Sequence, residues 1–249
     1  MTLTNNLRAL YLNLLRDSIL DTIYEPTNHE GKKASGNDVE VGNYWPLRAH
    51  SMIGRKRLNN IHNLFFQIII DNVSGDLIET GVWRGGACIF MKGLVEAYNQ
   101  KRKVFVADSF EGFPEPDPKY PMDTNDKDNL DYQKMLSMLK VSEEEVKNNF
   151  KKYNLLNDNV VFIKGFFEHS LSKAPIDKLS LLRLDGDMFS STIQVLEQLY
   201  DKVSEGGYII IDDYQLLGCQ QAVTEFRKSR NIKDTVVDID GCGAFWRKS

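Results

Sequence analysis

The sequence predicts an α/β fold of the Rossmann-like type: a mostly parallel, seven-stranded sheet closed by an antiparallel C-terminal hairpin, with N-terminal helices and a helical insertion. Three observations carry that expectation. Short apolar runs ending in acidic residues recur after Gly75, helical stretches separate them, and the last two runs are joined through Asp240-Gly241. Continuous apolar runs of this length are what a parallel sheet covered on both faces requires. A final hairpin turning on Asp-Gly supplies the antiparallel edge.

The 249 residues are 42% hydrophobic and 27% charged, enough apolar material for a substantial core. A single domain over 1–249 is expected, with N-terminal helices and a loop in 1–74, a core in 75–249 and a lid-like insertion at 111–152. The net charge of −4 provides no basic footprint, which argues against nucleic acid or a membrane surface as partner and favours a small molecule. Cys88, Cys219 and Cys242 lack CxxC spacing, so they read as small hydrophobes, neither disulfides nor zinc ligands.

Leu3, Leu7, Leu10 and Leu14 recur at helical spacing, and residues 3–23 read as an amphipathic helix. Arg8, Arg16 and Asp17 interrupt it well short of the roughly 20 apolar residues of a membrane span. No signal peptide is legible, so a reducing, cytoplasmic compartment is expected. Residues 27–36 are polar, contain two glycines and read as a mobile loop. Ile53, Leu58, Ile61, Leu64, Phe65 and Ile68 predict a second amphipathic helix over 51–70, and these two helices precede the core.

Strands follow at Leu77-Ile78-Glu79, Val104 to Asp108, Val160 to Ile163, Leu181 to Asp185 and Tyr208 to Asp213, then Thr235 to Ile239 and Ala244 to Trp246. Between the second and third strands, 111–152 is rich in Asp, Lys and Pro. Ser142 and Glu145 there match a capping box, so the insertion is partly helical. It reads equally as a solvated appendage or as a lid, because loops leaving the carboxyl ends of strands border the ligand crevice.

The chemistry gathers at those strand ends. Glu79-Thr80-Gly81-Val82-Trp83-Arg84-Gly85-Gly86 closes a strand and opens a glycine-rich turn into a helix. Its E-x-G-x-x-x-G spacing differs from the dinucleotide fingerprint, whose helix N-terminus faces a pyrophosphate. S-adenosylmethionine has no phosphate but carries an ammonium, which suits Glu79. Asp108 ends the next strand, where a carboxylate can accept both ribose hydroxyls. Ser109 follows, and Phe110 either flanks an adenine or belongs to the core. Asp185-Gly186-Asp187 and Asp212-Asp213 end adjacent strands, and four converging carboxylates repel one another unless a cation or protons neutralise them. All-oxygen ligands select a hard ion such as Mg²⁺. His29, His50, His62 and His169 show no ligand spacing; His169, after Gly165-Phe166-Phe167-Glu168, follows the third strand.

These motifs, with Met52-Ile53-Gly54 upstream and Ile211-Asp212-Asp213-Tyr214 downstream, resemble the macrocin O-methyltransferase family across 1–249. The resemblance implies a class I methyltransferase that methylates a sugar hydroxyl with S-adenosylmethionine and Mg²⁺. It implies metal ligands at Asp185, Asp212 and Asp213 and a general base at Asp187. It further implies a cofactor site drawn from Met52, Glu79, Thr80, Gly81, Val82, Trp83, Asp108, Ser109, Phe110, Gly165 and Asp185, and a homodimer or higher homo-oligomer. Phe189 departs from the tyrosine expected after Asp-Gly-Asp. A catechol-type metal-dependent methyltransferase and a non-catalytic ligand-binding subunit of the same fold are the alternatives. The Lys-, Asn- and Ile-rich composition hints at an AT-rich genome.

Overall fold

A computed structural model describes residues 3–123 and 129–249. Three helices come first: α1 (Leu3–Ile19), α2 (Gly36–Val41) and α3 (Gly54–Ile70). The sheet follows, as β1 (Asp76–Thr80), α4 (Gly86–Ala97) and β2 (Val104–Asp108), the insertion with α5 (Leu130–Leu139) and α6 (Glu143–Lys152), then β3 (Val160–Lys164) and the short α7 (Phe167–Ser170). The chain ends with β4 (Leu179–Leu184), α8 (Phe189–Leu199), β5 (Val203–Ile211), α9 (Leu217–Ser229), β6 (Val237–Asp238) and β7 (Ala244–Arg247).

The seven strands lie in the order β3-β2-β1-β4-β5-β7-β6. Neighbours from β3 through β5 are parallel, and β7 runs antiparallel to both β5 and β6. The expected sheet is therefore present. Residues Leu77–Thr80 and Val104–Ala107 are buried without alternation, because helices cover both faces: α1, α3, α4 and α6 on one, α8 and α9 on the other. Strand order reverses between β1 and β4, and their carboxyl ends open the crevice where such sheets hold ligands.

Local expectations change at the first helix, at residues 27–36 and in the placing of the capping box. The first helix stops at Ile19, and Asp21 at φ 57° turns the chain. Its buried side chains are Leu12, Leu15 and Ile19, whereas Leu7, Leu10 and Leu14 face outward at 57%, 66% and 60% exposure. Residues 27–36 form an organised turn: Asn28 Oδ1 accepts from Glu30 N and Lys32 N, Thr27 bridges Lys33, and Ser35 begins α2. That helix is a third one before the sheet. Its start, not that of α6, carries the reciprocal capping box, between Ser35 and Asp38; Ser142 accepts from Glu145 N, which is half of the motif. The terminal hairpin turns through 239–243, where Asp240 Oδ1 accepts from Cys242 N and Gly243 N. Cys88 and Cys219 are buried and Cys242 is half-buried, all three free.

Candidate active site

The carboxyl ends of β1, β2, β4 and β5 face a cavity of about 790 Å³. Met52, Glu79, Gly81, Val82, Trp83, Asp108, Ser109, Asp185, Asp187, Asp212 and Asp213 line it. Thr80, Phe110 and Gly165 do not. Thr80 is buried and donates to Arg183 O at 3.3 Å; Phe110 packs in the core against Phe162; Gly165 lies behind Asp108, donating to its carbonyl at 2.9 Å. His169 is exposed beside Glu168 and outside the cavity.

The β1–α4 turn is drawn onto β4. At Gly81, φ is +86°, and a Cβ there would collide with the Asp185 backbone carbonyl. Glycine is needed here because the turn's backbone approaches that of Asp185 too closely for a Cβ. Asp108 fastens the same turn, its Oδ2 accepting from Val82 N at 2.7 Å and its Oδ1 from Phe110 N at 2.8 Å. Burial nevertheless raises its pKa against those hydrogen bonds. Trp83 donates through Nε1 to Met138 O at 2.9 Å, tying α5 of the insertion to the turn.

Asp185, Asp212 and Asp213 each bring a carboxylate oxygen within 4.8 Å of the others. Asp187 stands beside them at φ +57°, a left-handed conformation uncommon outside glycine that Asp and Asn tolerate best, with its N–H 3.3 Å from Asp213 Oδ2. Burial, reinforced by Asp185 and Asp212, pushes the Asp187 carboxyl up to about 7. Burial and the neighbouring aspartates hold Asp213 well above the usual carboxylate range.

Two arginines absent from the sequence argument share this charge. Arg183, wholly buried, pairs with Glu79, with Asp212, and with Asp185 at 2.7 Å. Arg57 on α3 pairs with Asp212 and, at 3.1 Å, with Asp240. Glu79 is thereby occupied, one oxygen facing Arg183 and the other accepting from Cys88 Sγ at 2.8 Å. Glu79 thus anchors a buried guanidinium while still lining the cavity. Arg183 had a signal: a charged residue within Leu181-Leu182-Arg183-Leu184 is buried only if paired. Six carboxylates (Glu79, Asp185, Asp187, Asp212, Asp213, Asp240) still outnumber two guanidiniums. The donor set fits a divalent cation.

A family model described as Macrocin-O-methyltransferase (TylF) matches residues 10–248. Demethyldecarbamoylnovobiocin O-methyltransferase of Streptomyces niveus is 44% identical over 255 residues, covering 99% of this chain and 96% of that protein. The 8-demethyl-8-(2,3-dimethoxy-alpha-L-rhamnosyl)-tetracenomycin-C 4'-O-methyltransferase of Streptomyces olivaceus is 40% identical over 254 residues, covering 98% and 95%. The solved structure of the O-methyltransferase NovP superposes with a TM-score of 0.88 at 43% identity, covering 97% of this chain and 99% of that one.

Proposed function

The chain belongs to the macrocin-O-methyltransferase family, and from that premise we propose that it methylates a sugar hydroxyl of a glycosylated small molecule, using S-adenosylmethionine and Mg²⁺. The observation that carries this reading is the convergence of Asp185, Asp212 and Asp213 beside Asp187, in the cavity that Asp108 and the β1–α4 turn also line. When bound, S-adenosylmethionine supplies an electrophilic methyl group and the cation lowers the pKa of an acceptor hydroxyl. Asp185, Asp212 and Asp213 would hold the cation. Asp108 would accept from ribose hydroxyls, with Met52, Gly81, Val82, Trp83 and Ser109 shaping the rest of that subsite. Asp187 is the group that would take the acceptor proton at its carboxylate, as a general base does. Trp45, Phe113, Met122 and Met135 give the cavity an apolar wall suited to the non-sugar part of a glycoside.

The reading treats 1–249 as one methyltransferase domain in which 111–152 covers the site. It also takes the exposed Leu7, Leu10 and Leu14 of α1 as the seam of a homodimer. Their spacing of three and four residues forms one exposed apolar stripe along the helix. No helix among the described residues is long and apolar enough to cross a membrane.

A matched pair of glycosides, identical except for loss of one hydroxyl beside the methylated one, tests the function. Three protein carboxylates leave about three octahedral positions open, so two adjacent acceptor oxygens are expected to matter. The diol should be methylated in an Mg²⁺-dependent manner and the deoxy compound poorly. Equal rates, or a diol rate unchanged by exhaustive chelation, would sink the metal-assisted reading.

A further inference from the structure

Helix α8 begins two residues after Asp187, yet its own N-cap position, Met188, makes no side-chain cap. The cap comes from the insertion. Asp123 Oδ1 accepts from Phe189 N at 2.7 Å and its Oδ2 from Ser190 N at 2.9 Å, across 66 residues of sequence. A carboxylate there satisfies two orphan backbone donors and lies at the positive end of the helix dipole. The same junction has an aromatic contact, Tyr120 against Phe189 with ring centroids 5.7 Å apart, in a small buried cluster with Ala222. Met122, Asp123, Met188 and Ser190 all line the cavity.

The backbone held by this cap needs holding. Asp187 adopts φ +57° and connects Gly186 to the first turn of α8, so freedom at Phe189 and Ser190 passes directly to Asp187. We propose that Asp123 is a positioning residue for methyl transfer: from the insertion it fixes the α8 N-terminus that carries Asp187, so that seating of the insertion and assembly of the site are one event. Phe189, where tyrosine was expected, serves as the apolar half of this junction. The inference rests on the proposed role of Asp187.

Amide hydrogen exchange and steady-state kinetics on the full-length enzyme test it together. In Asp123→Ala, exchange at Phe189 and Ser190 should accelerate about five- to thirtyfold, the range expected for a lost helix cap. Turnover should fall about tenfold to a hundredfold through misplacement of the reacting groups. KM for S-adenosylmethionine should stay at the wild-type value. Asp123→Asn keeps a capping acceptor and should restore most of both losses. Tyr120→Ala, which leaves the carboxylate in place, should accelerate exchange less than Asp123→Ala.

Unchanged exchange in Asp123→Ala would overturn the cap, and accelerated exchange with wild-type kcat would overturn the positioning role. An Asp187→Asn variant with wild-type turnover would instead remove Asp187 as base, leaving the exchange response to Asp123→Ala intact, so the two failures are separable.

Discussion

Glu79 and Arg183 occupy facing register positions on the neighbouring strands β1 and β4, and their side chains form a buried ion pair under the strand-end aspartates. The pair lies at the strand-order reversal, so Glu79 and the arginine that meets the acidic cluster are fixed by the same ladder. Arg183→Met should leave Glu79 buried beside Asp185 without its counter-charge. Breaking one side of such a pair costs about 3–5 kcal/mol, and Glu79→Gln in the same chain should recover part of it. Denaturant unfolding of the two single variants and the double variant measures this. Additive losses would show the two side chains to be energetically independent.

Asp187→Asn should lower kcat by about two to four orders of magnitude, the usual contribution of a general base. Asparagine tolerates the left-handed backbone found at φ +57°, so the change isolates the proton acceptor from the fold. Affinity for S-adenosylmethionine, read by calorimetry, should be nearly unchanged, because the base acts in the transition state. Retention of wild-type kcat would remove Asp187 from the chemistry.

Asp108→Ala should weaken binding of S-adenosylmethionine by about 1.5–3 kcal/mol through loss of charge-assisted hydrogen bonds to the ribose. The carboxylate also accepts from Val82 N and Phe110 N, so Asp108→Asn, which retains an acceptor for the turn, is the sharper comparison. Titration calorimetry decides it; wild-type affinity in both variants would place the ribose elsewhere.

The acidic cluster also sets a pH dependence. Asp187, pushed up to about 7, keeps its proton in the fold through a range where the unfolded chain, at about 3.9, has lost it. Its contribution to stability is fully present below about pH 4 and is lost as pH rises through about 7. In chelator, the melting temperature of the wild type should therefore decline between about pH 5 and pH 8 more steeply than that of Asp187→Asn. Mg²⁺ should restore more at the upper end, because it binds the ionised carboxylates. Parallel melting profiles for the two proteins would show that Asp187 does not titrate this way.

Much of the fold was legible because its signals are local. The runs Leu77–Glu79, Val104–Ala107 and Leu181–Leu184 are buried on both faces, so hydrophobicity alone marks them as strands. The strand-end acids were legible for the same reason, since a carboxylate ends an apolar run where the chain reaches the crevice. The leucines of α1 marked a helix, but spacing does not say which side the sheet will cover: Leu12, Leu15 and Ile19 are inside, while Leu7, Leu10 and Leu14 are out.

The sequence by itself determined the sheet, the acidic strand ends at Asp108, Asp185 and Asp212, and the family to which they point. Tertiary structure decided which groups those acids meet. Arg57 lies 155 residues from Asp212, Arg183 lies 104 from Glu79 and Asp123 lies 66 from Phe189, distances over which no local pattern encodes contact. Charge neutralisation, capping and close approach at Gly81 depend on which buried groups face one another, and that is fixed only when the sheet assembles and its helices pack.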